Sequence, residues 1–96
     1  MGFHIMKPRF DLGAVYATSG AMVLGSRLPG GITSYLRRHH CGDWGDLDAE
    51  DQQHNEDALA GSMRLLSAYQ TQSGERLYII TEWDRLRTTI LLASEY

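Results

Sequence analysis

Apolar and polar positions alternate over residues 10–17, with Phe10, Leu12, Ala14 and Tyr16 on one side and Gly13 and Val15 on the other. A period of two predicts a β-strand. The period then changes. Thr18 or Ser19 can cap a short helix that carries Ala21, Met22 and Leu24 to about Gly25. Leu28-Pro29-Gly30 marks a turn across 25–31. Ile32, Tyr35 and Leu36 fall at i, i+3 and i+4, which predicts a second helix from about Ile32 to His40. Arg37, Arg38 and His39 suit its negative pole, and Gly42 ends it. Asp48 reads as the N-cap of a third helix, with Glu50 and Asp51 in its first turn and its end near Ala60. The apolar stripe of that helix is thin. Asp51, Asn55, Ala58 and Leu59 share one edge, so if Leu59 faces a core, Asp51 and Asn55 turn inward with it. Polar groups turned inward require partners.

The last third reads as three strands. Met63–Tyr69 is the first, and the QTQSGE segment is a hairpin loop. Arg76–Glu82 is the second, dense in β-formers (Leu77, Tyr78, Ile79, Ile80, Thr81), and Thr88–Leu92 the third. The order β-α-α-α-β-β-β predicts an α+β fold: an antiparallel sheet of three to four strands with helices packed on one face. Val15, Tyr78 and Ile80 are assigned to the opposite face. A length of 96 residues favours one domain, over 7–96, with residues 1–6 a disordered or appended extension.

Composition sharpens this in two places. A single cysteine, Cys41, excludes an intramolecular disulfide framework and points to a reducing, cytoplasmic setting. No apolar run is long enough for a membrane span, and the N-terminal residues lack the layout of a signal peptide. The net charge of −3 is unevenly distributed. Asp43–Asp57 contains seven acids and no Lys or Arg, leaving five acids against nine bases elsewhere. That balance speaks against direct nucleic-acid binding as a general property of the surface. The bland reading of the run is a solvated helix start.

Candidate chemistry concentrates in HHCGDWGDLDAED. An EF-hand is excluded, because Asp51 stands where the loop needs glycine and Asp57 where it needs glutamate. His39, His40, Cys41 and His54 lack zinc-ligand spacing, which leaves His40, Asp43 and Asp46 as a weak alternative metal set, and no cofactor is expected. Cys41 beside His40 is adjacency in sequence only, and no nucleophile elbow or phosphate-binding glycine loop is present. Trp44, flanked by Gly42, Asp43 and Gly45, reads as a plug at the edge of the core with its N–H bonded, or else as an interface anchor. Trp83, in the loop EWDRLR, is the more exposed of the two, and Arg85 and Arg87, which flank that loop, are placed to pair with the acidic segment, within one chain or between two. The binding or organising residues are thus Asp43, Trp44, Asp46, Asp48, Asp51, Asn55, Trp83 and Arg85.

The blocks HHCGDWGDLDAEDQQHNEDAL, RLLSAYQ, LYIITEWDR, TTILL and the final EY resemble a family of small proteins encoded on bacterial plasmids, phages and other mobile elements. The resemblance spans residues 9–96, with Ser19 in place of a proline of the first family block and Leu86 in place of a serine of the last. Members often carry the label of a type I restriction enzyme modification subunit. The chain contradicts that label as chemistry, being too short for a methyltransferase and lacking both a methyl-donor glycine motif and an NPPF-like motif. The resemblance implies a bacterial accessory protein of mobile DNA. Its expected role is a non-enzymatic module that binds a protein partner and self-associates as a homodimer. Two alternatives stand beside it: a small metal-dependent hydrolase or nuclease-like enzyme using the Asp/His cluster, and an inhibitor of host restriction or CRISPR systems acting through the acidic patch.

Overall fold

The computed structural model describes residues 7–96, so the extension expected at residues 1–6 lies outside it. Strand β1 (Ala14–Ala17) leads into helices α1 (Ser19–Gly25), α2 (Thr33–His40) and α3 (Ala49–Leu59). Strands β2 (Leu65–Gln70), β3 (Arg76–Thr81) and β4 (Arg87–Leu92) follow, and a short 3-10 turn over Ala93–Glu95 completes the order. The fold is α+β, with its elements in the order that the patterning predicts. Local chemistry accounts for the boundaries. Thr18 caps α1 by accepting from the Ala21 N–H at 3.1 Å, and Asp48 caps α3 by accepting from the Asp51 N–H at 2.8 Å. Gly42 stops α2 in the left-handed region, at φ 83°.

The sheet order is β1-β4-β3-β2. β2–β3 and β3–β4 pair antiparallel, while β1 runs parallel to β4 with Ala14–Ala17 opposite Arg87–Ile90. The sheet is therefore mixed, which corrects the all-antiparallel expectation. β1 reaches β4 only after three helices and a meander, and a strand's own periodicity carries no information about the direction of a partner so far along the chain.

The register divides the side chains into two faces. Leu65, Ser67 and Tyr69 align with Thr81, Ile79 and Leu77, and these with Thr88, Ile90 and Leu92. Onto this face pack Ala21 and Leu24 of α1, Leu28, and the half-buried Ile32, Tyr35 and Leu36. A second cluster on the same face joins Trp44, Ala58 and Leu65, with Phe10, Leu47 and Leu59 against it. The opposite face carries Tyr16, Leu66, Ala68, Tyr78, Ile80, Thr89 and Leu91. Val15 lies in register with Thr88, so it belongs to the helix-covered side and not with Tyr78 and Ile80. The alternation in β1 was legible; its phase relative to the other strands was not. Among the described residues, no helix is long and apolar enough to cross a membrane.

Candidate functional site

The acidic segment is built into the fold almost residue by residue. Asp43 accepts from Arg38 Nε at 2.7 Å and from the Gly45 N–H at 3.1 Å, and the hydrogen bond to Arg38 holds its carboxyl below the usual carboxylate range. Trp44 is 3% exposed, and its indole N–H donates to Glu56 at 2.8 Å. Glu56 also forms a two-pronged pair with Arg9, both bonds at 2.9 Å, which lowers its pKa. Asp46 accepts from the Gln70 N–H at 2.7 Å, while its own N–H donates to the Ala68 carbonyl at 2.6 Å. Trp44, Gly45 and Asp46 thereby run alongside β2 as a short parallel partner, with Gly45 opposite Ala68. A Cβ at Gly45 would stand 2.1 Å from the Ala68 carbonyl oxygen, so only glycine permits this approach.

Asn55 performs the same task further along the strand. Its amide donates to the Leu66 carbonyl at 2.7 Å and accepts from the Leu66 N–H at 3.2 Å, supplying a missing ladder partner from a helix side chain. Of the predicted inward pair, Asn55 is buried and Asp51 is exposed. Asp51 lines a pocket of about 180 Å³ with Leu47, His54, Arg64 and Leu66. Among the described residues, Arg85 meets no carboxylate. It occupies the left-handed region at φ 61° and spends its guanidinium on the carbonyls of Met63 (2.6 Å), Ala58 (2.8 Å) and Glu82 (3.1 Å). It pins the β3–β4 loop to the last turn of α3, where a cation complements the helix dipole. Within the chain, the pairing with the acidic segment expected for Arg85 is thus replaced by a cap on backbone carbonyls.

The metal set also comes apart. Asp43 is turned to Arg38 and Asp46 to the edge of β2, so the two carboxylates are not directed at His40. Among the described residues, no group of three or more His, Cys, Asp or Glu side chains is placed to hold a metal ion.

A polar chain that the sequence did not announce crosses the core. His39 Nδ1 lies 2.6 Å from Ser67 Oγ, and Nε2 lies 2.9 Å from Thr81 Oγ1. Thr81 Oγ1 is 2.7 Å from Thr88 Oγ1, and the Thr88 hydroxyl donates to the Leu12 carbonyl at 2.7 Å. Proton counting orders the whole chain. Since the Thr88 proton goes to Leu12, the Thr81 proton must go to Thr88, and Thr81 Oγ1 accepts from His39 Nε2–H. Burial keeps the imidazole neutral, and with the proton on Nε2 the bare Nδ1 accepts from the Ser67 hydroxyl. Burial, aided by the charges of His40 and Arg85, pushes the His39 pKa down to about 3. A serine hydroxyl on a histidine is the pairing of nucleophilic catalysis. Here both residues are fully buried beneath Phe10 and Trp44, where no substrate reaches them.

Two large apolar side chains stand in solvent at the far end of the β3–β4 hairpin. Trp83 is 60% exposed and Leu86 69%, in contrast to the buried Trp44. With Tyr16, Glu82, Asp84 and Arg87 they line a shallow pocket of about 370 Å³. Arg85 holds the backbone beneath them, so the apolar tip sits on a fixed platform. No protein-family model, curated protein or solved structure matches this chain.

Proposed function

We propose that this chain is a non-enzymatic protein-interaction module, an accessory protein of bacterial mobile DNA, that engages its partner through the hairpin end built by Trp83 and Leu86. The supporting observation is the pair of large apolar side chains held out to solvent on an anchored loop and bordered by Glu82, Asp84 and Arg87. Exposed apolar groups inside a charged rim are the composition of an interface centre, and tryptophan is the residue most enriched at energetic hot spots. The acidic segment contributes indirectly, by fixing the edge of β2 and the position of α3. The mobile-element setting rests on the resemblance of the GDWGDL and ITEWDR blocks.

The test is affinity capture from a bacterial host lysate with four proteins: wild type, Trp83→Ala, Leu86→Ala and Asp51→Asn. A partner retained by wild type and Asp51→Asn but lost with Trp83→Ala supports the reading. The loss expected for a central tryptophan is about 2 kcal/mol or more. Capture that survives both hairpin substitutions and disappears with Asp51→Asn would move the site to the α3 pocket.

A further inference from the structure

We propose that the open face of the sheet binds single-stranded nucleic acid, with tyrosine rings stacking on bases and arginines meeting phosphates. The register brings to this face Tyr16 of β1, Arg87 of β4, and Arg76 and Tyr78 of β3, with Arg64 immediately before β2. Tyr96 leans onto the same side, its ring 5.6 Å from that of Tyr78 at 77°. Guanidinium groups lie over rings: Arg87 at 5.5 Å from the Tyr16 centroid and Arg64 at 5.8 Å from that of Tyr96. Tyr16 and Tyr96 are 54% and 61% exposed.

Among the described residues, the three arginines of this face stand in no ion pair; the pairs formed join Arg9 to Glu56 and Arg38 to Asp43. Arg64 donates to the Tyr96 hydroxyl and Arg76 to the Asp46 carbonyl, both uncharged acceptors. The carboxylates of Glu82 and Asp84 stand at the hairpin end, in the pocket that Tyr16 and Arg87 also line, and Asp51 borders Arg64 from α3. The net charge of −3 conceals this arrangement, because arginines far apart in sequence meet only through strand register.

Charge complementarity chooses among occupants. A second copy applied face to face would set Arg64, Arg76 and Arg87 against their own images, and like charges brought together oppose association. A second copy presenting its acidic segment would make a head-to-tail contact, which propagates into filaments unless its rotation closes a ring. Asp43, Asp46 and Glu56 of that segment are, moreover, already engaged within their own chain. A DNA duplex offers phosphates but keeps its base faces stacked. A single strand offers both phosphates and free base faces, and stacking platforms with a basic surround are how sequence-tolerant single-strand binders work. Four strands at about 4.8 Å spacing span roughly 15 Å, room for two or three bases.

The experiment is fluorescence anisotropy with the full chain and a labelled oligothymidylate of about 12 nucleotides, alongside a duplex of equal length. Micromolar binding to the single strand is expected, weaker for the duplex, with log affinity falling against log salt at a slope of about −2 for three phosphate contacts. Tyr16→Ala and Arg76→Ala, both at exposed positions, should each weaken binding roughly tenfold. Arg76→Ala, which lies outside the pocket that Trp83 shares with Tyr16 and Arg87, should leave capture of the protein partner unchanged, which separates this proposal from the protein-binding one. Absence of binding at low salt, equal affinity for duplex, or indifference to Tyr16→Ala and Arg76→Ala overturns the proposal. So does a dimer in sedimentation velocity that Arg76→Ala dissolves, since the face would then belong to a second copy.

Discussion

At the scale of single residues, His39 has the sharpest measurable consequence. Its imidazole is neutral in the fold, with a pKa near 3, against an ordinary value of 6.5 in the unfolded chain. Between those two values the unfolded chain binds a proton that the folded protein does not, so stability falls as pH falls. The contribution is whole above pH 6.5 and declines by about 1.4 kcal/mol per pH unit below it. Asp43 and Glu56 also lose their paired charges in acid, but only below the ordinary carboxylate range. Urea unfolding at pH 7, 6 and 5 therefore isolates His39. A flat profile over that window would mean that the imidazole takes up its proton inside the fold. Trp44 and His39 differ in how readable they were. Trp44 sits between glycines beside a helix cap, and both its burial and its bonded N–H follow from that local setting. The two His39 partners lie on β2 and β3 and the next link of the chain on β4, and only the β2–β3–β4 register stacks Ser67, Thr81 and Thr88 beneath one helix. Residue type alone made His39 a helix-terminal charge; tertiary packing made it a neutral core residue.

At the scale of elements, the strand most in need of protection is β2, which lies at the edge of the sheet. An exposed edge invites pairing with other chains. Backbone from Trp44 to Asp46 covers one stretch of it and the Asn55 side chain the next. Asn55→Ala would strand a donor and an acceptor on Leu66 at once, and each buried unsatisfied group costs about 1–3 kcal/mol. Thermal or urea unfolding should show a loss of about 2–4 kcal/mol, with Asp51→Asn within about 0.5 kcal/mol of wild type because its carboxylate is exposed. Equal effects would mean that Asp51 carries a structural role the geometry does not give it. The stripe Asp51–Asn55–Ala58–Leu59 was legible as one helix edge, and Asn55 and Ala58 are buried on it as expected. Asp51 departs from that expectation because it lies a full turn nearer the N-terminus of α3, where the Asp48 cap holds the chain out toward solvent. Strand existence was equally legible, from β-branched and aromatic density. Strand direction and phase were not, and Val15 shows why. A four-residue strand alternates correctly in either phase, and only its parallel partner β4 decides which side is inward.

At the scale of the molecule, the question is whether the two apolar clusters unfold together. One gathers around α1 and α2, with Leu77, Ile79 and Ile90; the other lies beneath α3, around Trp44 and Leu65. Both are anchored on β2, Tyr69 belonging to the first and Leu65 to the second, four positions apart on one strand. The His39 chain runs between them, and the Tyr69 hydroxyl reaches back to the Asp43 carbonyl at 2.6 Å. Neither cluster can lose its strand without disturbing the other, so a single cooperative transition is expected, as for most domains of this size. The two tryptophans make this measurable. Trp83 is exposed in the native state and changes environment little on unfolding, whereas Trp44 moves from a packed site beside Phe10 and His39 into water. In Trp83→Phe the emission comes from Trp44 alone and reports the second cluster. Far-ultraviolet circular dichroism reports the helices, two of which belong to the first. Urea midpoints from the two signals should coincide, and should move together in Asn55→Ala, although that substitution touches only the second cluster. Separate midpoints, with fluorescence preceding dichroism, would mean that α3 and the Trp44 loop detach from a sheet that stays folded. The edge of β2 would then be a surface that opens in solution, and not the fixed wall on which the hairpin end and the open face both depend.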